Sequence, residues 1–377
     1  MGNPLEKRLA SFRPVSREAA QEYGRKARVI VEAVNSSMQA RRDFYDLVGE
    51  SPVEAVLENH ENHVGTIAEV LDSGRYDLLA RTVPWVYRSY MAHGVKADYF
   101  PALFGVFKSV IEKILSPEGA REILPLYDAL LETHDAMVAC SCLKRAAWAP
   151  EGTCGELSED ARDFRDALLL GDHRACLDTA ARKVASEDDL EAFYLGIVQP
   201  AMYSIGDLWE WDEISVAEEH LASAIVARVM ASLYAWVLRS ERRFGKAVVS
   251  AAPNEYHEIG ARMVADLLER DGWNVEYLGS DIEPYSLLER VEQTQPFLLA
   301  LSVAMPFNLK QAQKIIGGIR EKAATEKMRI MVGGQLFGRM PDLWKTMGAD
   351  GYAENAAEAS KLARKWWDEA DRRVKNP

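Results

Sequence analysis

Hydrophobic positions change their period once along the chain. Up to about residue 140 they recur at helical spacing, as in Val64, Ile67, Ala68 and Leu71, or Leu103, Val106, Phe107, Val110, Ile111 and Ile114, with no alternating β-branched run. That stretch predicts helices throughout, broken at Ser73-Gly74, His93-Gly94 and Ser116-Pro117, where glycine suits a helix end and proline a first turn. Residues 149–158 are rich in turn formers and end in Ser158, an N-cap candidate, which places a domain boundary there. From 158 to about 240 the pattern predicts four more helices, one opening at Ser186-Glu187-Asp188-Asp189-Leu190 and one interrupted near its end by Pro200. After Gly245 short apolar runs (Val248-Val249, Val275 to Leu278, Phe297 to Val303, Ile330 to Val332) alternate with amphipathic segments. Repeated βα of this kind predicts a parallel sheet with right-handed crossovers, binding ligands at the carboxyl ends of its strands.

Composition narrows the classes. The chain has 377 residues, 48% hydrophobic and 27% charged, which excludes a disordered or fibrous protein. Apolar runs fall short of the roughly 20 residues that span a bilayer, and Met1-Gly2-Asn3-Pro4 does not resemble a secretory signal, so a cytoplasmic protein without a membrane span is expected. Cys140, Cys142, Cys154 and Cys176 are expected to be thiols, because a chain of this size needs no disulfides and Cys140-Ser141-Cys142 is too tight for a zinc knuckle. The net charge of −13 sits mostly in residues 155–245, which hold 9 basic and 18 acidic groups. DNA binding would require the opposite sign, so a protein partner is expected in place of nucleic acid.

Candidate chemistry gathers at the strand ends. After the first strand comes Pro253-Asn254-Glu255-Tyr256-His257-Glu258-Ile259-Gly260, at a ligand-binding edge. An imidazole there can offer one nitrogen to a metal while the other donates to Glu255, and Gly260 allows a close approach. His257 could equally be an exposed loop histidine, and Glu258 a first-turn carboxylate. Ser302 closes the third strand, and Gly333-Gly334 the fourth; small or absent side chains at neighbouring strand ends leave a slot for an extended group. Upstream, Trp209 precedes Glu219-His220 on a helix with the small stripe Ala217, His220, Ala224, Ala227, Ala231, a flat face for a large planar ligand or for another helix.

Glu255-x-His257-x-x-Gly260, Ser302 and Gly333-Gly334, with Tyr277-Leu278-Gly279 closing the second strand, resemble a cobalamin-binding domain of flavodoxin-like fold. The resemblance implies that His257 is the lower axial cobalt ligand and that the displaced dimethylbenzimidazole tail enters the slot; Tyr256 joins the implied cofactor contacts. Trp209 with Glu219-His220 resembles the four-helix cap of adenosylcobalamin photoreceptors, where these residues surround the adenosyl group. Glu210 stands where the DNA-binding members of that family carry a second histidine, and no helix-turn-helix precedes it. The first helices resemble the globin-like domain of photocobilins, which also bind biliverdin. That implies Arg81 and Arg88 for propionates and His63, Tyr87, Tyr90, His93 and His134 for the tetrapyrrole, with Cys140 or Cys142 a thioether donor only if it faces the pocket.

These resemblances imply three domains, a globin-like helical one (1–150), a cobalamin cap (156–243) and a flavodoxin-like cobalamin domain (245–377). The function they imply is a non-enzymatic light sensor using adenosylcobalamin and biliverdin, signalling to a protein partner through homo-oligomer assembly as dimer or tetramer. The alternative from another class is a corrinoid methyl carrier of a methyltransferase system.

Overall fold

A computed structural model describes residues 3–141, 157–238, 241–322, 328–340 and 342–375. Cys142, Cys154 and most of the expected boundary at 149–158 lie outside the described residues. The chain forms two compact units, residues 1–148 with 210–213, and residues 149–209 with 214–377.

In the first unit α1 (Pro4–Leu9), α2 (Arg17–Gln39), α3 (Phe44–Val48), α4 (Val53–Ser73), α5 (Tyr76–Ala92), α6 (Tyr99–Ile114), α7 (Pro117–Glu132) and α8 (His134–Ser141) follow in turn. The predicted breaks separate helices: Gly74 ends α4, His93 ends α5, and Ser116 caps α7 with Pro117 in its first turn. Helix α2 packs on α4, α6 and α7, and the core buries Tyr23, Tyr99, Phe107 and Tyr127 completely. Reciprocal caps tie α2 to α7, since Glu122 accepts from the backbone and hydroxyl of Ser16 while Glu22 does the same for Ser116.

The second unit opens with α9 (Glu159–Leu169) and α10 (His173–Lys183), capped by Ser158 and Asp172. Helix α11 (Asp189–Phe193) runs through a π-helical turn, Tyr194–Val198, directly into α12 (Gln199–Glu210). The interruption expected at Pro200 is corrected here. The Gln199 amide donates to the Tyr194 carbonyl five residues back, and the widened turn gives the Pro200 ring the room that a regular helix denies. Helix α13 (Val216–Val237) starts at a capping box between Ser215 and Glu218. By length and composition α13 could cross a membrane. Its apolarity is accounted for inside the unit, where Ile225, Val226, Val229 and Leu233 are buried and the helix packs on α9 and α10.

Beyond the helices lie five parallel strands in the order β2-β1-β3-β4-β5: β1 (Lys246–Ala251), β2 (Asn274–Tyr277), β3 (Leu298–Ser302), β4 (Arg329–Gly333) and β5 (Gly351–Tyr352). They alternate with α14 (Ile259–Arg270), α15 (Pro284–Thr294), α16 (Leu309–Arg320), α17 (Gln335–Arg339) and α18 (Ala356–Lys375). The strand order reverses between β1 and β3, which is where open sheets of this kind receive ligands. The register pairs Ala251 with Ser302 and Ser302 with Gly333, bringing three predicted strand ends to one level.

Candidate functional site

The loop after β1 is built around a buried carboxylate. Glu255 is fully buried. Its Oε1 accepts from the His257 ring at 2.5 Å and the His257 amide at 3.3 Å. Its Oε2 accepts from the amides of Ala304 and Met305, both at 2.9 Å, and from Asn308 Nδ2 at 3.1 Å. Burial works to raise the Glu255 carboxyl, but the bonds and charge of His257 together with the Met305 and Asn308 donors outweigh it, holding the group below its ordinary value. Because an ionised carboxylate only accepts, His257 Nδ1 must donate, which leaves Nε2 as the ring's free lone pair. The hydrogen bond to Glu255 is the main force raising the His257 imidazole above its ordinary value, against the opposing pull of burial, and the charge of Glu219 on α13 adds to it. The His257 side chain is nonetheless 62% exposed, so the ring is anchored at one nitrogen and open at the other.

Beside this loop lies an open cleft bordered by Gly260, Ser302, Gly333 and Gly334, with Leu195, Gln199 and Tyr203 from the cap on its other side. The glycines serve different ends. A Cβ on Gly260 would meet nothing within 4 Å, so nothing in the chain's own packing requires glycine there. Gly334 has a φ of +101°, and its Cβ would collide with the Val303 carbonyl. Its lack of a side chain therefore answers first to the backbone that follows β3. An imidazole held at one nitrogen and open at the other, beside a cleft with a glycine opening into it, fits a metal-centred cofactor that also carries an extended tail.

On the cap, Glu219 accepts from Ser223 Oγ and lies 2.8 Å from His220 Nδ1, and the His220 side chain is 74% exposed. Ala217, Ala224 and Ala231 of the small stripe are exposed too, so the stripe is not a helix–helix seam. Trp209 is half-buried near the end of α12, and Tyr256 is exposed beside His257. Sequence reasoning missed Asn308, which also donates to the Asn254 carbonyl and so locks the loop from β3–α16. An amide in the otherwise apolar stretch Ala304-Met305-Pro306-Phe307 was the available signal.

The tetrapyrrole candidates of the first unit are engaged by the protein itself. His63 is packed among Phe104, Phe107 and Tyr127 with ring centroids at 5.9, 4.7 and 5.8 Å. Tyr87 bonds to His134 and stacks on Phe100, Tyr90 packs against Tyr99 and Phe100, and His93 bonds to the Ser89 carbonyl. Arg88 pairs with Glu210 and lies over Trp211, while Arg81 is exposed. Glu210, at the position where the DNA-binding members of the resembled family carry a histidine, is held in the ion pair with Arg88.

Residues 245–361 match the family model described as the B12 binding domain, and residues 161–234 match a second B12 binding domain model. These two stretches are cobalamin-binding domains. The chain is 28% identical over 126 residues to dimethylamine corrinoid protein 3 of Methanosarcina acetivorans, covering 33% of this chain and 58% of that one. It is 28% identical over 173 residues to monomethylamine corrinoid protein 1 of Methanosarcina mazei, covering 44% and 78%. The chain thus spans little more than half the length of the dimethylamine relative. The solved monomethylamine corrinoid protein of Methanosarcina barkeri is similar at 22% identity and a TM-score of 0.47, over 53% of this chain and 94% of that chain. The relatives overturn the light-sensor reading: the proteins that match the cobalamin-binding stretches are corrinoid proteins named for methylamines. The names of these relatives mention neither biliverdin nor an oligomer.

Asn308→Ala should weaken cobalamin binding about 10- to 100-fold, the usual cost of losing a group that orients a ligand. It should also lower the fraction of bound cobalt that shows histidine coordination by paramagnetic resonance. Unchanged coordination with only a lower melting temperature would reduce Asn308 to a structural bond.

Proposed function

We propose that the protein is a corrinoid methyl carrier that presents cobalamin to methyltransferase partners and makes or breaks no substrate bond itself. One observation carries this reading: Glu255 fixes Nδ1 of His257 and leaves Nε2 available beside a cleft within the cobalamin-binding stretch. When bound, the cofactor supplies a cobalt centre that takes up and gives up methyl groups. His257 would hold the cobalt through Nε2, with Tyr256 beside it, and the cleft bordered by Gly260, Ser302, Gly333 and Gly334 would receive the nucleotide tail. Trp209, Glu219 and His220 would shelter the opposite side, where the group carried is methyl in place of adenosyl.

The names of the dimethylamine and monomethylamine relatives support this reading, as does the acidic cap, which favours a protein partner over nucleic acid. The carrier works in the cytoplasm alongside its partners, and the globin-like first unit is an added scaffold without a bilin.

Reconstitution of the [15N]histidine-labelled protein with hydroxocobalamin followed by one-electron reduction should give cobalt signals split by a single 15N nucleus, lost in His257→Ala. After further reduction with titanium(III) citrate, extract of the native cells and [14C]monomethylamine or [14C]dimethylamine should leave label on the protein. Splitting by 14N alone in the labelled wild-type protein, or 15N splitting that survives His257→Ala, would remove the axial assignment. Absence of label from either donor would remove the methylamine carrier.

A further inference from the structure

The cleft is layered, and the layers differ in polarity. Val249, Ala300 and Met331 are direct partners across β1, β3 and β4, and each lies two residues before the strand-end level of Ala251, Ser302 and Gly333 on the same face of the sheet. Two residues along a strand put them about 6–7 Å deeper. Facing them are Ala261 of α14 and Ala359 of α18, and all five line the cleft and are buried. None of these five side chains carries a hydrogen-bond donor, and the single acceptor among them is the weak thioether sulfur of Met331. The backbone around the three strand residues is occupied in the parallel ladders of β1, β3 and β4. Polar side chains, Ser302, Asn355, Gln199 and Tyr203 among them, come from the strand ends and the cap.

We propose that this apolar floor selects corrinoids by their lower base, favouring an apolar benzimidazole or phenolic base over a purine. A displaced dimethylbenzimidazole brings one ring-nitrogen acceptor to the floor, whereas adenine would bring an amino group and several ring nitrogens, all taken from water without partners. The inference rests on His257 being the lower ligand, because only then is the base displaced into the cleft.

The test is titration of the full-length apoprotein, followed by tryptophan fluorescence, with cobalamin, with the adenine-bearing corrinoid and with cobinamide, which lacks the nucleotide. Cobalamin is expected to bind at least about tenfold more tightly than the adenine form. Met331→Gln, or Ala300→Ser if the former fails to fold, places a hydrogen-bonding group on the floor and should narrow that ratio without changing cobinamide affinity. Equal affinity for the two complete corrinoids, or a ratio unmoved by both variants, overturns the selectivity. Should none of the three bind, or should His257→Ala leave the bound spectra unchanged, the failure belongs to the cobalamin reading of His257 instead.

Discussion

Gly334→Ala should destabilise the sheet by about 3 kcal/mol, the scale of a strained backbone position combined with a steric clash. The expected fall in melting temperature of the second unit is then roughly 10 °C. Two costs add at this residue. A φ of +101° is closed to most side chains, and a Cβ there would meet the Val303 carbonyl, a backbone atom directly after the neighbouring strand β3 that cannot swing aside as a side chain can. That carbonyl also accepts from Leu336 at the start of α17, so moving it would disturb both strand and helix. Gly260 makes the informative contrast, since it also borders the cleft but lies in the first turn of α14 with open space where a Cβ would be. Gly260→Met should keep or raise the melting temperature, because methionine is the better helix former by most of a kcal/mol, about 0.8. The same change should cut cobalamin affinity at least about tenfold by filling the cleft, on the scale of one displaced apolar contact surface. Differential scanning fluorimetry and a binding titration on both variants separate the roles; equal melting temperatures for the two would refute the backbone account of Gly334.

How much of this was legible in the chain depends on how far apart the partners are in sequence. The switch from helical period to short apolar runs after Gly245 is local, and it announces β1 to β4 because strands covered on both faces read as continuous apolar runs. β5 has only two residues, Gly351 and Tyr352, and no run can mark it. Glu255 and His257 are two residues apart, so their pairing could be read directly. Asn308 reaches Glu255 across 53 residues and Asn254 across 54, and only the folded sheet reveals that. The reason for Gly334 was hidden for the same cause, since Val303 directly follows another strand. At the level of function the limit was of another kind: Trp209 with Glu219-His220 describes a cap above cobalamin, and sensing and methyl carriage can use the same scaffold. The extra helical unit resembles a sensor's, and within it His60 and His63 pack in the unit's own core.

Those histidines set the other large effect, an acid lability of the first unit. His60 is 1% exposed, with Nδ1 2.5 Å from Asn35 Oδ1 and Nε2 2.6 Å from the Tyr99 hydroxyl. Neutral imidazole satisfies both contacts, donating to the amide oxygen and accepting from the phenol; a protonated ring would bring a second donor against the Tyr99 hydroxyl and force it to turn. Burial pushes His60 down to about 4, and burial followed by the charge of His60 pushes His63 down to about 3. His63 Nε2 has no hydrogen-bond partner, so a proton there would gain nothing to offset its lost hydration. Both groups bind protons more readily in the unfolded chain, near pH 6.5, than in the folded one. Their stabilising effect is therefore complete above about pH 6.5 and is lost as pH falls toward 4 for His60 and 3 for His63. At 1.36 kcal/mol per unit His60 alone accounts for about 3 kcal/mol, a large part of a typical domain's stability. Glu22, held at about 2 by its bonds to Lys26 and then Ser116, works in the same sense at lower pH, being lost from about 4.5 downward. Hydrogen exchange on the full chain should show protection in α2, α4 and α6 collapsing between pH 6 and 4. His63→Phe, which keeps an aromatic ring among Phe104, Phe107 and Tyr127 but cannot bind a proton, should move that collapse to lower pH. Protection that stays flat down to pH 4, or a midpoint that ignores His63→Phe, would show that the buried imidazoles do not control it.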